Sequence, residues 1–148
     1  MIKENFYIGN YKQEAKRKGG WFIGHFMESG LRKTDKFEVK YWEFPPGKTN
    51  HKLKALCCAT EITLLLKGKI IGKIEDKKRR RLEEIKLEAG DYVIILPKIV
   101  NGFPEIVLEY AEGITIKIPS IENDKREGEN YEEIINKLKS CKNCEFKK

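Results

Sequence analysis

A chain of 148 residues with 30 Lys and Arg against 23 Asp and Glu, a net charge of +7, is long enough to bury roughly 68–70% of its unfolded surface in one core, so no disulfide scaffold is required. Its apolar runs are too short to span a bilayer, and MIKENFYIGN lacks the charged region and apolar stretch of an export signal; the expectation is a soluble, cytoplasmic, unprocessed protein without membrane contact. The four cysteines, an adjacent Cys57 and Cys58 and a terminal Cys141-x-x-Cys144, are not the framework of a small secreted domain and are expected as reduced thiols.

Lys and Glu are intermixed along the chain, which predicts a solvated, ion-paired surface. The two together number 43 while Gln occurs once, at Gln13, a bias shared with hyperthermophile proteins.

In chain order, residues 1–20 form a basic N-terminal arm or short helix. The runs WFIGHFMESG and FEVKYWEF then predict two strands joined by LRKTDK. In the second, Phe37, Val39 and Tyr41 share one face and Glu38, Lys40 and Trp42 the other, so one face packs and the other carries charge. Pro45-Pro46-Gly47 ends the strand, because neither proline can donate a ladder hydrogen bond. EITLLLKGKIIGKIE reads as two apolar runs meeting in a tight hairpin at Gly68.

A short strand follows around Ile85 and Leu87, then a turn at Gly90-Asp91 and a buried strand from Tyr92 to Leu96 ended by Pro97. IVLEYA and GITIKIP read as two more strands bridged by Glu112-Gly113. Strands at this spacing without intervening helices predict an antiparallel sandwich or barrel over residues 21–121. Residues 122–148 read as a polar linker and a C-terminal helix ending in the Cys-x-x-Cys. Asn130 is the expected N-cap, and Tyr131, Ile134, Ile135 and Leu138 form an apolar stripe.

The order of residues from Pro45 to Gly68 resembles the first motif of the cupin superfamily, in which a Gly, a His-x-His, a Glu and a Gly follow at set spacing. Here Gly47 is followed by His51, Glu61 and, after six residues, Gly68; the Glu-to-Gly spacing matches and the His-x-His does not. In the second motif Gly90 and Pro97 are present, and Asn101 or Gly102 stands where the family has its His. GWFIGHF, EVKYW, GDYVIILP and IPSI together resemble small single-barrel cupins. The resemblance implies an all-β, single cupin-like antiparallel barrel, a jelly roll, with an appended C-terminal α-helix.

The family's metal is held by three imidazoles and a carboxylate. His25 and His51 are the chain's two histidines, so a three-His site within one chain is impossible. Two arrangements stay open. One is a reduced divalent-metal site of His51 and Glu61 with His25 or Cys57. The other is a metal-free pocket of Glu61, Lys40, His51, Asn101 and Tyr110 that binds a small polar ligand, with Lys40 and Lys54 as counter-charges for Glu61. Cys141 and Cys144 have half the spacing of a zinc site, which a dimer or Cys57 and Cys58 could complete; a redox or incidental pair is the plainer reading. The block Lys77 to Arg81 lacks interleaved aromatics and is flanked by acids, so it reads as a solvated loop and nucleic acid is not an expected partner.

The expectation is therefore a small-molecule-binding cupin without a resident cofactor, with a metal-dependent isomerase or oxygenase as the alternative and a nucleic-acid-associated protein as a weaker one. The expected partners are the small ligand and a second copy of the chain in a homodimer, paired along the edge from Trp21 to Met27.

Overall fold

Two long strands carry the architecture. In the computed structural model, which describes residues 5–142 and residue 144, β5 (Thr60–Asp76) and β8 (Asn101–Ile118) pair antiparallel from Thr60 opposite Ile118 to Ile74 opposite Asn101. The hairpin expected at Gly68 is absent. The chain continues through it at φ 88°, and register shifts from Leu65 to Lys73 bend the strand there. A side chain at Gly68 would collide with the Tyr110 carbonyl, so glycine here serves a bulge rather than a turn. The bridge expected at Glu112-Gly113 is likewise strand interior, where the Trp42 indole fills the space of a Gly113 side chain. In both cases the apolar runs flanking the glycine pair with another strand, not with each other.

Beyond β8 lie β2 (Glu38–Phe44), β3 (Gly47–Lys48) and β4 (Leu53–Leu56), with β1 (Trp21–Ile23) outside β2 and β9 (Lys125–Gly128) outside β4. Beyond β5 lie β6 (Arg81–Glu88) and β7 (Tyr92–Ile95). The described strands make one curled antiparallel sheet. Residues 125–128, expected in a linker, thus extend the sheet.

The concave face holds the main core, in which Trp42, Leu65, Ile70, Leu87, Val107 and Ala111 pack with Phe44, Ile85, Val93 and Phe103. Burying each large side chain contributes about 1.5–3 kcal/mol. A second cluster lies under α2 (Tyr131–Leu138), where Ile134 packs on Leu53, Ala55 and Val100. The helix starts as its sequence predicts. The Asn130 side chain accepts from the Glu133 amide at 2.9 Å, and the Glu133 carboxylate accepts from the Glu129 amide at 2.7 Å.

Near the N-terminus α1 (Tyr11–Glu14) lays the Tyr11 ring 5.1 Å from that of Tyr41, over the convex face of β2. This reverses the expected sidedness of β2. Tyr41 is buried under α1, while the face carrying Glu38, Lys40 and Trp42 points into the barrel.

The cysteines are not reduced thiols. Cys57 is bonded to Cys141 and Cys58 to Cys144. Packing of β9 and α2 on β4 returns the end of the chain to the turn after β4, and Asp124 braces that turn by accepting from the amides of Cys57, Cys58 and Ala59 at 2.8–3.0 Å.

The β7 strand is not buried on both faces. Val93 and Ile95 point inward, but Tyr92, Ile94 and Leu96 are 63%, 52% and 61% exposed, because no described layer covers the convex face of this edge. No helix among the described residues is long and apolar enough to cross a membrane.

Candidate functional site: a lysine-rich cavity in the barrel

Period-two alternation aims a small set of side chains into the barrel. From β5 come Glu61 and Thr63, and from the neighbouring β8 come Thr115 and Lys117. Lys40, Trp42 and Phe44 enter from β2, Lys54 from β4 and Lys125 from β9. With Trp21, Phe103 and Pro104 they line a cavity of about 120 Å³. Its floor is a hydroxyl pair, Thr63 and Thr115 with Oγ1 atoms 3.3 Å apart, and the Trp42 indole donates to Thr115 at 3.0 Å.

The charges are unbalanced. Glu61, only 2% exposed, is held by Lys54 Nζ at 2.7 and 3.0 Å from its two carboxylate oxygens. That leaves Lys40 and Lys117 facing the same space; Lys125 also lines it but is half-exposed and paired with Glu127 at 2.7 Å. Neither Lys40 nor Lys117 is ion-paired among the described residues; both ammonium groups lie over the Trp21 ring, at 5.5 and 4.7 Å from its centroid, which attracts cations only weakly. Burial pushes the Lys117 ammonium down to about 8, with Lys54 adding repulsion. Lys40 is lowered too, by burial and then by Lys54 and Lys125. Glu38, opposite Lys117 in the β2 register, is raised by burial.

Of the residues proposed from the sequence, Lys40 and Glu61 meet in this cavity. His51 is exposed and lines a separate depression with Glu105 and Glu129. Asn101 is buried, donating to the Ile99 carbonyl at 3.1 Å, and its Oδ1 has no described partner. Tyr110 lies on the convex face and donates to Glu43 at 2.7 Å, which pushes its phenol up to about 12. His25 sits just past β1, its Nδ1 2.6 Å from Ser120 Oγ, and Cys57 is taken by its disulfide.

The metal constellation of His51, Glu61, His25 and Cys57 is therefore not assembled, and no group of three His, Cys, Asp or Glu suited to an ion occurs among the described residues. The cavity's donor set does not fit a divalent cation: it offers four amines and one carboxylate already neutralised by Lys54. The basic block is a turn at residues 77–80 whose Asp76 accepts from the Lys78 and Arg79 amides, while Arg79 and Arg81 pair with Glu83.

Lys117, Lys125, Trp21, Trp42, Thr63 and Thr115 are cavity residues that sequence reasoning did not select. One signal was available for Lys117, an isolated cation at the same parity as Thr115 in the apolar GITIKIP.

No protein-family model matches the chain, and no curated protein matches it in sequence. Solved structures do resemble it. A cupin protein from Bacteroides fragilis is 23% identical with a TM-score of 0.48, covering 61% of this chain and 73% of that one. Oxalate decarboxylase from Bacillus subtilis is 16% identical with a TM-score of 0.51, over 62% of this chain. The chain has the cupin fold.

The cysteine peptidase Peruvianin-I from Thevetia peruviana latex shares it at 15% identity and a TM-score of 0.51, over 62% of this chain. This cupin barrel spans 55% of the Peruvianin-I chain and 24% of the oxalate decarboxylase chain. In the cupin frame the cavity described here is the barrel interior, lined mainly by cations and aromatic rings.

Proposed function

We propose that this cupin-fold chain binds a small organic anion, with its carboxylate on Lys40 and Lys117 and its carbon skeleton against Trp21, Trp42 and Phe44. The observation that carries the reading is the charge of the cavity. Lys40 and the buried Lys117 share it without an ion pair among the described residues, and the one carboxylate lining it is already used by Lys54. Like charges in a low-dielectric space repel strongly, and an anionic ligand relieves that repulsion while making charge-assisted hydrogen bonds of about 1.5–3 kcal/mol each. The cavity of about 120 Å³ suits a molecule of a few heavy atoms. Oxalate decarboxylase, which shares the fold, is named for a substrate of that size and charge.

The proposal extends, as separate expectations, to a cytoplasmic location and a homodimer. Disulfides are compatible with that compartment in a chain of this composition, because intracellular proteins of hyperthermophiles are disulfide-rich.

Thermal melts with a panel of small carboxylates (oxalate, malonate, pyruvate), inorganic phosphate and neutral sugars test the reading. Carboxylates should raise the melting temperature in a saturable way, and Lys40→Met should abolish the shift. Stabilisation by neutral sugars and not by any anion would overturn it.

A further inference from the structure

Lys117 differs from the other cavity lysines in the way it is held. Its strand is paired on both sides, with Lys117 opposite Glu38 of β2 and opposite Glu61 of β5, so the ladders on either side fix its Cα. The residue is 9% exposed yet lines the cavity. Glu61 spends both carboxylate oxygens on Lys54, which leaves the Lys117 amine free of an ion pair and near the Trp21 ring.

We propose that Lys117 is a nucleophile that condenses with the ketone of a small 2-oxo acid in the cavity to form an imine. The inference rests on the anion-binding reading and adds a reaction to it. A lysine becomes nucleophilic when burial and neighbouring cations favour its neutral form, and both are present here: the side chain is buried, and Lys54 and Lys125 repel its charge. The oxo acid's carboxylate on Lys40, which shares the Trp21 ring with Lys117, would set its ketone against the Lys117 Nζ.

The step balances without a further reagent. The amine lone pair forms the C–N bond as the carbonyl π pair moves to oxygen. Both amine hydrogens leave with that oxygen as water, and the imine nitrogen then takes a proton from solvent. The resulting iminium draws electrons from the C–H bonds of the neighbouring carbon, the condition for exchange of those protons through an enamine.

The test is to incubate the full chain with pyruvate and sodium cyanoborohydride, which reduces an imine to a stable secondary amine, and to read the intact mass and peptide map. One adduct per chain on Lys117 is expected, displaced by excess malonate and lost in Lys117→Met, with exposed Lys86→Met still labelled. Labelling spread over surface lysines, or an equal yield in Lys117→Met, would overturn the proposal; should that variant not fold, the peptide map of the unmodified sequence decides. Malonate binds as an anion but has no ketone, so it separates the two readings. Stabilisation by malonate with no pyruvate adduct removes the imine and leaves anion binding intact, whereas no effect of either compound removes both.

Discussion

Lys54 and Glu61 form a bidentate ion pair inside the barrel, the lysine Nζ lying 2.7 and 3.0 Å from the two carboxylate oxygens. The pair crosses from β4 to β5, two strands that both neighbour β8, and so ties the closing part of the sheet to its centre. It also consumes the negative charge that would otherwise neutralise the remaining lysines of the cavity.

Removing one partner strands the other. Lys54→Met leaves a buried carboxylate unpaired and should cost about 3 kcal/mol, read as a lower urea midpoint at pH 7. Lys54→Met with Glu61→Gln should recover most of that loss. A single variant as stable as the unmodified protein would show that Glu61 finds another partner.

Lys117 imposes a pH dependence of known sign. Its ammonium is pushed down to about 8 from the ordinary 10.5. Between these values the unfolded chain binds more protons than the folded one, so stability rises with pH. Below about 8 the full cost of burying the charge is present. Burial sets most of it; Lys54 on β4 and Lys125 on β9 add to it, and Glu61 on β5 and Glu38 on β2 oppose it. Lys117→Met should therefore stabilise the protein by on the order of 2 kcal/mol at pH 7, and the gain should shrink as pH rises from 8 to 10.5 in parallel urea titrations. A constant gain across that range would place the charge cost elsewhere.

The two disulfides close overlapping loops with sequence separations of 84 and 86. Loop closure of that length is worth about 4 kcal/mol for one bridge, but the second joins segments already joined. Cys57→Ser with Cys141→Ser, which keeps the second bridge, should therefore cost little, whereas reduction of both should lower stability by about 4 kcal/mol. α2 should loosen first, detected as faster amide exchange at Ile134 and Ile135 than in β5.

The convex sheet face is apolar across three strands. Ile62 lies between Ile94 and Ile116, and Leu64 between Tyr92 and Ile114, with Leu66, Leu96 and Ile118 exposed at the rim. α1 shields the adjoining Tyr41, so the uncovered remainder lies on the β7 side rather than along the Trp21 to Met27 edge. A second copy presenting the same face would cover it in an isologous dimer. Light scattering should give a dimer, and Ile94→Lys should convert it to monomer without lowering the barrel's helix and strand content. A monomer in the unmodified protein would remove this assignment.

Local pattern carried the Asn130 cap and the apolar stripe of α2, because both depend on neighbouring residues alone. Gly68 and Gly113 misled it. Glycine marks a turn and a bulge equally well, and which one forms depends on whether the flanking runs pair with each other or with a strand many residues away. Cys57 and Cys141 lie too far apart in sequence for any spacing argument to join them; the packing of β9 and α2 on β4 does so.

The same physics divides the candidate site. Strand periodicity predicted an antiparallel sandwich or barrel with a C-terminal helix, the resemblance to cupins implied the barrel, and the count of two histidines ruled out a three-His centre within one chain. The local pattern set Lys117 at the parity of Thr115 but did not say which face that parity takes, nor that Lys40 points inward while Tyr41 lies under α1. Strand alternation leaves two opposite facings equally allowed, and the choice between them is made by curvature and by the register of neighbouring strands, which are non-local.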